Sequence, residues 1–167
     1  MVINELSREL AAFVRETISG LDYLETNTGK TKPPQVLEGW LDFKNSEKEQ
    51  EDFPFILVRP LKGEIVNKDS GHKYLRVNQD THRIDAELLI GVFAQDMAGY
   101  GDLMNIIERL LIAFYALPGH ILAERFMLLE SSWDMQDTQT WPYWFATITL
   151  TFEAGIPQGQ TIPNMMC

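Results

Sequence analysis

The chain has 167 residues, of which 45% are hydrophobic and 23% charged, and a chain of this length buries about two thirds of its unfolded surface in one compact domain. Its net charge of -10 argues against binding nucleic acid through phosphates, because such binding needs clustered Lys and Arg. The longest apolar run, LLIAFYAL, is too short to cross a bilayer. The first residues, MVINELSREL, lack the apolar run of a secretory signal, so we expect a cytosolic protein without a membrane partner.

The first half of the chain predicts one helix and two strands. Apolar residues recur at helical spacing up to Gly20, which predicts an amphipathic helix; they are Ile3, Leu6, Leu10, Phe13, Val14, Ile18 and Leu21. A polar segment with two prolines then leads to a short strand around Val36 to Leu41. The run FPFILVRP predicts another strand that breaks at Pro60, with GEIVNK as its continuation or its hairpin partner.

The second half predicts three strands and the main core helix. Residues 83–94 and 143–154 alternate between apolar and polar, and ERFMLLESSWDM predicts a strand between them. The helix is expected to begin near Gly101 or Asp102 and to end before Pro118. Together these elements predict an α+β fold, a mostly antiparallel sheet with helices packed on one face. Residues 1–157 would form the single domain and 158–167 a flexible C-terminal tail.

The glycines Gly99 and Gly101, between a strand and a helix, raise the possibility of a phosphate-binding loop. A dinucleotide fingerprint would need a third glycine where this chain has Met104. A P-loop would need Lys followed by Ser or Thr, and neither follows. Asp96 and Asp102 would repel a phosphate, and Asp102 suits the positive end of the helix that it precedes. The segment therefore predicts a simple turn from strand to helix.

No residue pattern predicts catalysis. The three histidines have no metal-binding spacing, Ser131 lies in a predicted strand without a nucleophile elbow, and the single cysteine cannot form an internal disulfide. The residues considered were His72, His82, His120, Ser131 and Cys167. We therefore expect a protein that is not an enzyme, with no catalytic residue, no cofactor and no metal.

The order of the elements resembles the tail terminator family of tailed bacteriophages and prophages, which includes tail completion and minor tail proteins. The likeness covers roughly Pro33 to Pro157 and combines an early strand and FPFILVRP with DAELLIGVFAQDMAGYGDLMNIIERL and a final alternating strand. The matching positions are Gly39, Trp40, Phe53, Pro54, Phe55, the run from Ile56 to Pro60, Tyr100, Gly101, Asp102 and Asn105. These positions belong to the scaffold and include no catalytic signature.

The resemblance implies a structural protein that forms a homo-oligomeric ring, often a hexamer, at the head-proximal end of the tail tube. Its partners would be the tail tube protein and head-tail connector proteins, and DNA would pass through the lumen without specific binding. The protein would lie in the bacterial host cytoplasm during assembly and then in the virion tail. A neck or head-tail connector subunit, or another minor tail component, is the alternative within phage structure. A small-molecule-binding or enzymatic α+β domain is the alternative from another class.

Charge and loop length suggest where such contacts lie. Residues 59–83 carry six bases against three acids, whereas only Arg109 and Arg125 are basic after residue 83. This segment is either a solvated hairpin or a surface that meets an acidic face of a neighbouring copy. The connections from Asn67 to His82 and from Asp134 to Pro142 are longer than tight hairpins need. We therefore predict interface residues in these two connections, namely Lys68, Lys73, Arg76 and Trp141. The alternative for Trp141 is a side chain that folds back onto the core.

Overall fold

The computed structural model describes residues 2–22, 24–26, 29–39, 53–68 and 79–155. Two α-helices lie within these residues, α1 (Val2–Ile18) and α2 (Ala98–Tyr115). Six strands form one sheet, and a short 3₁₀ helix (Pro118–His120) precedes the fourth strand. The strands are β1 (Gln35–Glu38), β2 (Phe55–Lys68), β3 (Gln79–Phe93), β4 (Ile121–Leu122), β5 (Phe126–Met135) and β6 (Tyr143–Gly155).

The strand order is β1-β2-β3-β6-β5-β4, in which β1 runs parallel to β2 and every other pair is antiparallel. The predicted α+β fold is confirmed. The alternating residues of β3 and β6 point toward both helices and are buried, which closes a single core. They are Ile84, Ala86, Leu88, Ile90, Val92, Trp144, Ala146, Ile148, Leu150 and Phe152.

The helices meet this sheet face with the residues that their spacing indicated. Leu6, Leu10 and Val14 of α1 are buried, as are Leu110 and Phe114 of α2. Burial of each such side chain contributes about 1.5–3 kcal/mol to folding. None of the helices in the described residues is long and apolar enough to cross a membrane.

The opposite sheet face is also partly covered. Phe53 stacks against Phe55 and Tyr143, with ring centroids 4.9 Å and 4.7 Å away. Farther along this face Arg59 pairs with Glu87 at 2.8 Å. This face therefore carries an aromatic cluster at one end and ion pairs at the other.

Two predicted boundaries in the first half of the chain were wrong. Pro60 does not break the second strand, because β2 continues to Lys68 with a bulge between Pro60 and Lys62. The described part of β1 pairs only with Phe55–Val58, so Pro60 lies at an edge position, where proline is tolerated. The connection from Asn67 to His82 is shorter than predicted, because β2 and β3 remain paired as far as Lys68 and Gln79.

The other differences lie at α2, at β4 and in the last loop. Helix α2 begins at Ala98, one turn before the predicted start. The two-residue strand β4 has too few residues to show a pattern and was not predicted. Asp134 and Met135 still pair with β6, so the last loop spans residues 136–142. The predicted tail at 158–167 lies outside the described residues.

Candidate interaction surface

The outer side of α2 is more apolar than a solvated helix face should be. Its last turns, in the run LLIAFY, bury Leu110 and Phe114 but leave Ile112 63% exposed and Tyr115 56% exposed. A helix that is apolar on nearly all sides is usually buried on nearly all sides. One side of α2 therefore lacks a cover among the described residues.

Strand β5 faces this uncovered side. Because Trp133 pairs with Ile148 and Ser131 pairs with Leu150, both project from the helix-side face of the sheet. Helix α2 packs over β3 and β6, so β5 extends past it, and Trp133 remains 48% exposed. The result is an open groove of about 640 Å³, which we call the α2/β5 groove. Its lining residues are Met104, Ile107, Glu108, Leu111, Ile112, Tyr115, Ala116 and Trp133.

A hydrogen bond fixes the spacing of the two groove walls. The Tyr115 hydroxyl lies 2.8 Å from the Ser131 hydroxyl and joins α2 to β5. This contact accounts for Ser131 without any nucleophilic role. An exposed, contiguous apolar surface on a folded domain is typical of a binding interface.

The turn with the two glycines is built to pack a helix. The Asp96 carboxylate accepts a hydrogen bond from the Ala98 backbone N–H at 2.9 Å. Asp96 therefore satisfies a backbone donor in the first turn of α2 that has no partner within the helix. We expected this role for Asp102, which instead lies one turn inside α2. Asp96, Asp102 and Glu25 line a cavity of about 390 Å³, and three carboxylates disfavour a phosphate there. Within the described residues, no cluster of His, Cys, Asp or Glu could hold a metal.

We expect Asp102→Asn to raise the free energy of unfolding at neutral pH. Burial, and then the charges of Asp96 and Glu25, raise the pKa of the Asp102 carboxyl above its usual value. The ionised form therefore costs stability at any pH above that raised pKa. Below the usual carboxyl pKa the group is neutral in both states, so the gain should vanish in acid. Urea unfolding at neutral and acidic pH, with Asp137→Asn as the exposed control, measures this; an equal gain at both pH values would contradict it.

The two predicted interface residues that the structure places, Lys68 and Trp141, are not brought together. Lys68 ends β2, where the strand pairs with Gln79, and its side chain is outside the described part of the structure. Lys73 and Arg76 also lie outside the described residues. Trp141 precedes β6 and lies near the end of β3, at the opposite end of the sheet from Lys68. Lys68 and Trp141 therefore cannot belong to one contact patch on a single subunit.

Trp141 itself is 64% exposed, and its indole N–H donates to the Gln95 carbonyl at 3.0 Å. The Trp141 side chain therefore lies at the protein surface and is not folded into the core. The histidines show no catalytic arrangement in the described part: His82 lies against Gly63, and His120 stacks edge-on against Tyr115 at 5.9 Å. His72 and Cys167 are outside the described residues.

We expect Trp141→Ala to leave the fold intact and to weaken the ring formation or tail joining that the resemblance implies. The substitution removes one exposed hydrogen bond, which is worth about 1 kcal/mol, and an aromatic side chain of the kind that anchors interfaces. Thermal unfolding followed by circular dichroism tests whether the fold is intact, and a head-tail joining assay tests whether assembly is weakened. Thr140→Ala, in the same loop, is the control. Full joining by a folded Trp141→Ala variant would remove this residue from the interface.

The α2/β5 groove was missed by sequence reasoning although its signal was present. Ile112 and Tyr115 fall outside the buried stripe of α2, and the run ERFMLLESSWDM, which includes Trp133, was interpreted only as a strand. No model of a known protein family matches the chain, and a search of curated proteins finds no similar sequence.

Proposed function

We propose that this chain is a structural subunit of a bacteriophage tail, which assembles with copies of itself into a ring that caps the head-proximal end of the tail tube and mediates head-tail joining. The α2/β5 groove is the observation that carries the proposal. It leaves Ile112, Tyr115 and Trp133 open to solvent on an otherwise well-packed domain, as expected of a subunit whose core is completed by assembly.

The α+β fold supports the proposal because it is the one that the resemblance to tail terminators implies. The turn at Gly99 packs a helix, in keeping with a scaffold protein. The acidic balance also suits a ring around DNA, since a surface of like charge gives the phosphates no cations to exchange for their counterions. Tail tube and connector proteins would be the further partners, first in the host cytoplasm and then in the virion.

Light scattering and electron microscopy of the purified protein test the proposal. We expect a closed ring, often a hexamer, whose population rises with protein concentration, and rings at one end of added tail tubes. A strict monomer with and without tail tubes would contradict it. Rings that bind the head connector but never the tube would instead assign the chain to the neck.

The groove has one alternative use, because its volume is within the range of small-molecule sites. Its polar side-chain groups are few: Glu108, the Tyr115 hydroxyl and the Trp133 indole N–H. A thermal-shift panel of nucleotides and apolar metabolites decides between the two uses. A ligand that raises the melting temperature and prevents ring formation would favour a small-molecule-binding domain.

A further inference from the structure

The two outermost strands of the sheet are short, and this leaves long strand edges behind them. Within the described residues, β1 covers only Phe55–Val58 of β2, and β4 covers only Phe126 and Met127 of β5. Residues 60–68 of β2 and 128–135 of β5 thus have a described neighbour on one side only. Such edges present backbone N–H and C=O groups that can pair with another strand.

The directions of these two edges allow them to pair with each other between copies. The pairs β2·β3, β3·β6 and β6·β5 are all antiparallel, so β2 and β5 run in opposite directions. Rotation about an axis roughly parallel to the strands preserves these directions from copy to copy. Strand β5 of one copy would then lie antiparallel to β2 of the next, which is the more stable type of ladder.

The register places opposite charges at one level of the sheet. Lys62 pairs with Asp85, whose partner on β6 is Thr151, and Thr151 pairs in turn with Glu130 of β5. Contacts confirm the shared face: Lys62 Nζ lies 3.5 Å from Asp85, and the Thr151 hydroxyl donates to Asp85 at 2.8 Å. Because cyclic symmetry has no translation along its axis, Lys62 of one copy would meet Glu130 of the next.

Charge also selects which edges pair. Two β5 edges would bring together the carboxylates of Glu130 and Asp134, whereas β5 against β2 brings Glu130 to Lys62. At the β5 edge, the pairing with β2 is therefore the attractive one. A contact between unlike surfaces repeats head to tail, and it closes into a ring where the rotation from copy to copy closes.

The α2/β5 groove lies beside the same edge. Pro60 shares its level with Ser131, through Ala86 and Leu150, and Ser131 holds the groove wall through Tyr115. The neighbouring residue Leu61 is an exposed apolar side chain. Docking of β2 on β5 would bring Leu61 to the rim of the groove.

From these observations we propose that the occupant of the β5 edge is β2 of a second copy of this chain, paired antiparallel with Lys62 beside Glu130. The proposal rests on the proposed ring assembly and names the contact that builds it. The sheet then runs from copy to copy as one antiparallel ladder.

A charge swap tests the pairing. Lys62→Glu and Glu130→Lys should each move the association midpoint to about tenfold higher protein concentration, because like charges then meet at the ladder. The double variant should return the midpoint to within about twofold of the parent. Glu16→Lys, on the exposed side of α1, is the control for net charge. Single variants that assemble like the parent, or a double variant as weak as the singles, would overturn the proposal.

Cross-linking tests the direction of the contact. In a Cys167→Ser background, Leu61→Cys and Ser132→Cys should give no covalent product alone, a dimer when mixed, and a ladder up to the ring size when combined in one chain. A short bis-maleimide spans the offset between the two strands. Dimers from Ser132→Cys alone would overturn the proposal in favour of a two-fold contact.

Two further outcomes separate this proposal from the proposed function. Rings in the microscope without any cross-linked ladder would overturn the edge contact and leave ring assembly standing, whereas a monomer under all conditions would overturn both. With Cys167 restored, a cross-link within one chain between Cys167 and Ser132→Cys would place the chain's own C-terminal segment on the edge. That result would also overturn the proposal.

Discussion

Replacement of Ile112 by lysine is expected to abolish ring assembly while leaving the monomer folded. Ile112 is 63% exposed on α2, so the substitution removes little core burial. Lysine is a good helix former near a helix C-terminus, and it stands four residues after Glu108, the favourable order for an ion pair. In the assembled groove, however, the ammonium group would lose its hydration, at a cost of several kcal/mol that a pair with Glu108 offsets only in part.

The expected readout is an association midpoint raised at least about a hundredfold in light scattering, with an unchanged or slightly higher melting temperature. Met97→Lys is the matched control, since Met97 is an exposed apolar residue at the other end of the same helix and carries the same charge change. If Ile112→Lys assembles as well as Met97→Lys does, the α2/β5 groove is not the interface. Loss of assembly in both variants would indicate an effect of charge alone.

The sheet could be predicted from sequence because its strands obey a local rule. In β6, every second residue from Trp144 to Phe152 is apolar and buried, so period two alone identified both the strand and its inner face. The same holds for the inner face of β3. The strand boundaries depended instead on the neighbouring strands. Proline at position 60 would stop a central strand, but β1 ends before the level of Pro60. The alternation within one strand carries no information about where its neighbour ends.

The apolar residues of the groove were visible in the sequence, but their exposure was not, because exposure is decided by what lies opposite a residue. Leu110 and Ile112 are similar in sequence terms, yet Leu110 faces the sheet and Ile112 faces solvent. Trp133 and Ile112 are far apart in the chain and meet only because β5 pairs beside β6. The basic segment of residues 59–83, in contrast, was evident from the composition of the sequence. Lys73 and Arg76 of this segment lie outside the described residues, so their role stays a prediction.

The glycine pair between β3 and α2 shows that a packing requirement can produce the same residue pattern as a functional motif. Gly99 is buried, and a Cβ built there would lie 2.3 Å from the indole Cδ1 of Trp144. That indole is itself buried and donates its N–H to the Ala94 carbonyl at 3.1 Å. Gly99 is therefore needed for the close approach of α2 to β6. Gly101, two residues later, would meet nothing within 4 Å.

We expect Gly99→Ala and Gly101→Ala to shift stability in opposite directions. At position 99 overpacking against Trp144 costs about 1–3 kcal/mol, which exceeds the gain of up to about 1 kcal/mol from replacing a helical glycine. At position 101 only that gain remains. Each kcal/mol changes the melting temperature of a domain this size by about 2–4 °C, so circular dichroism resolves the two variants. A Gly99→Ala protein as stable as Gly101→Ala would mean that Trp144 yields freely, and the glycine would again need another explanation, such as the approach of a ligand.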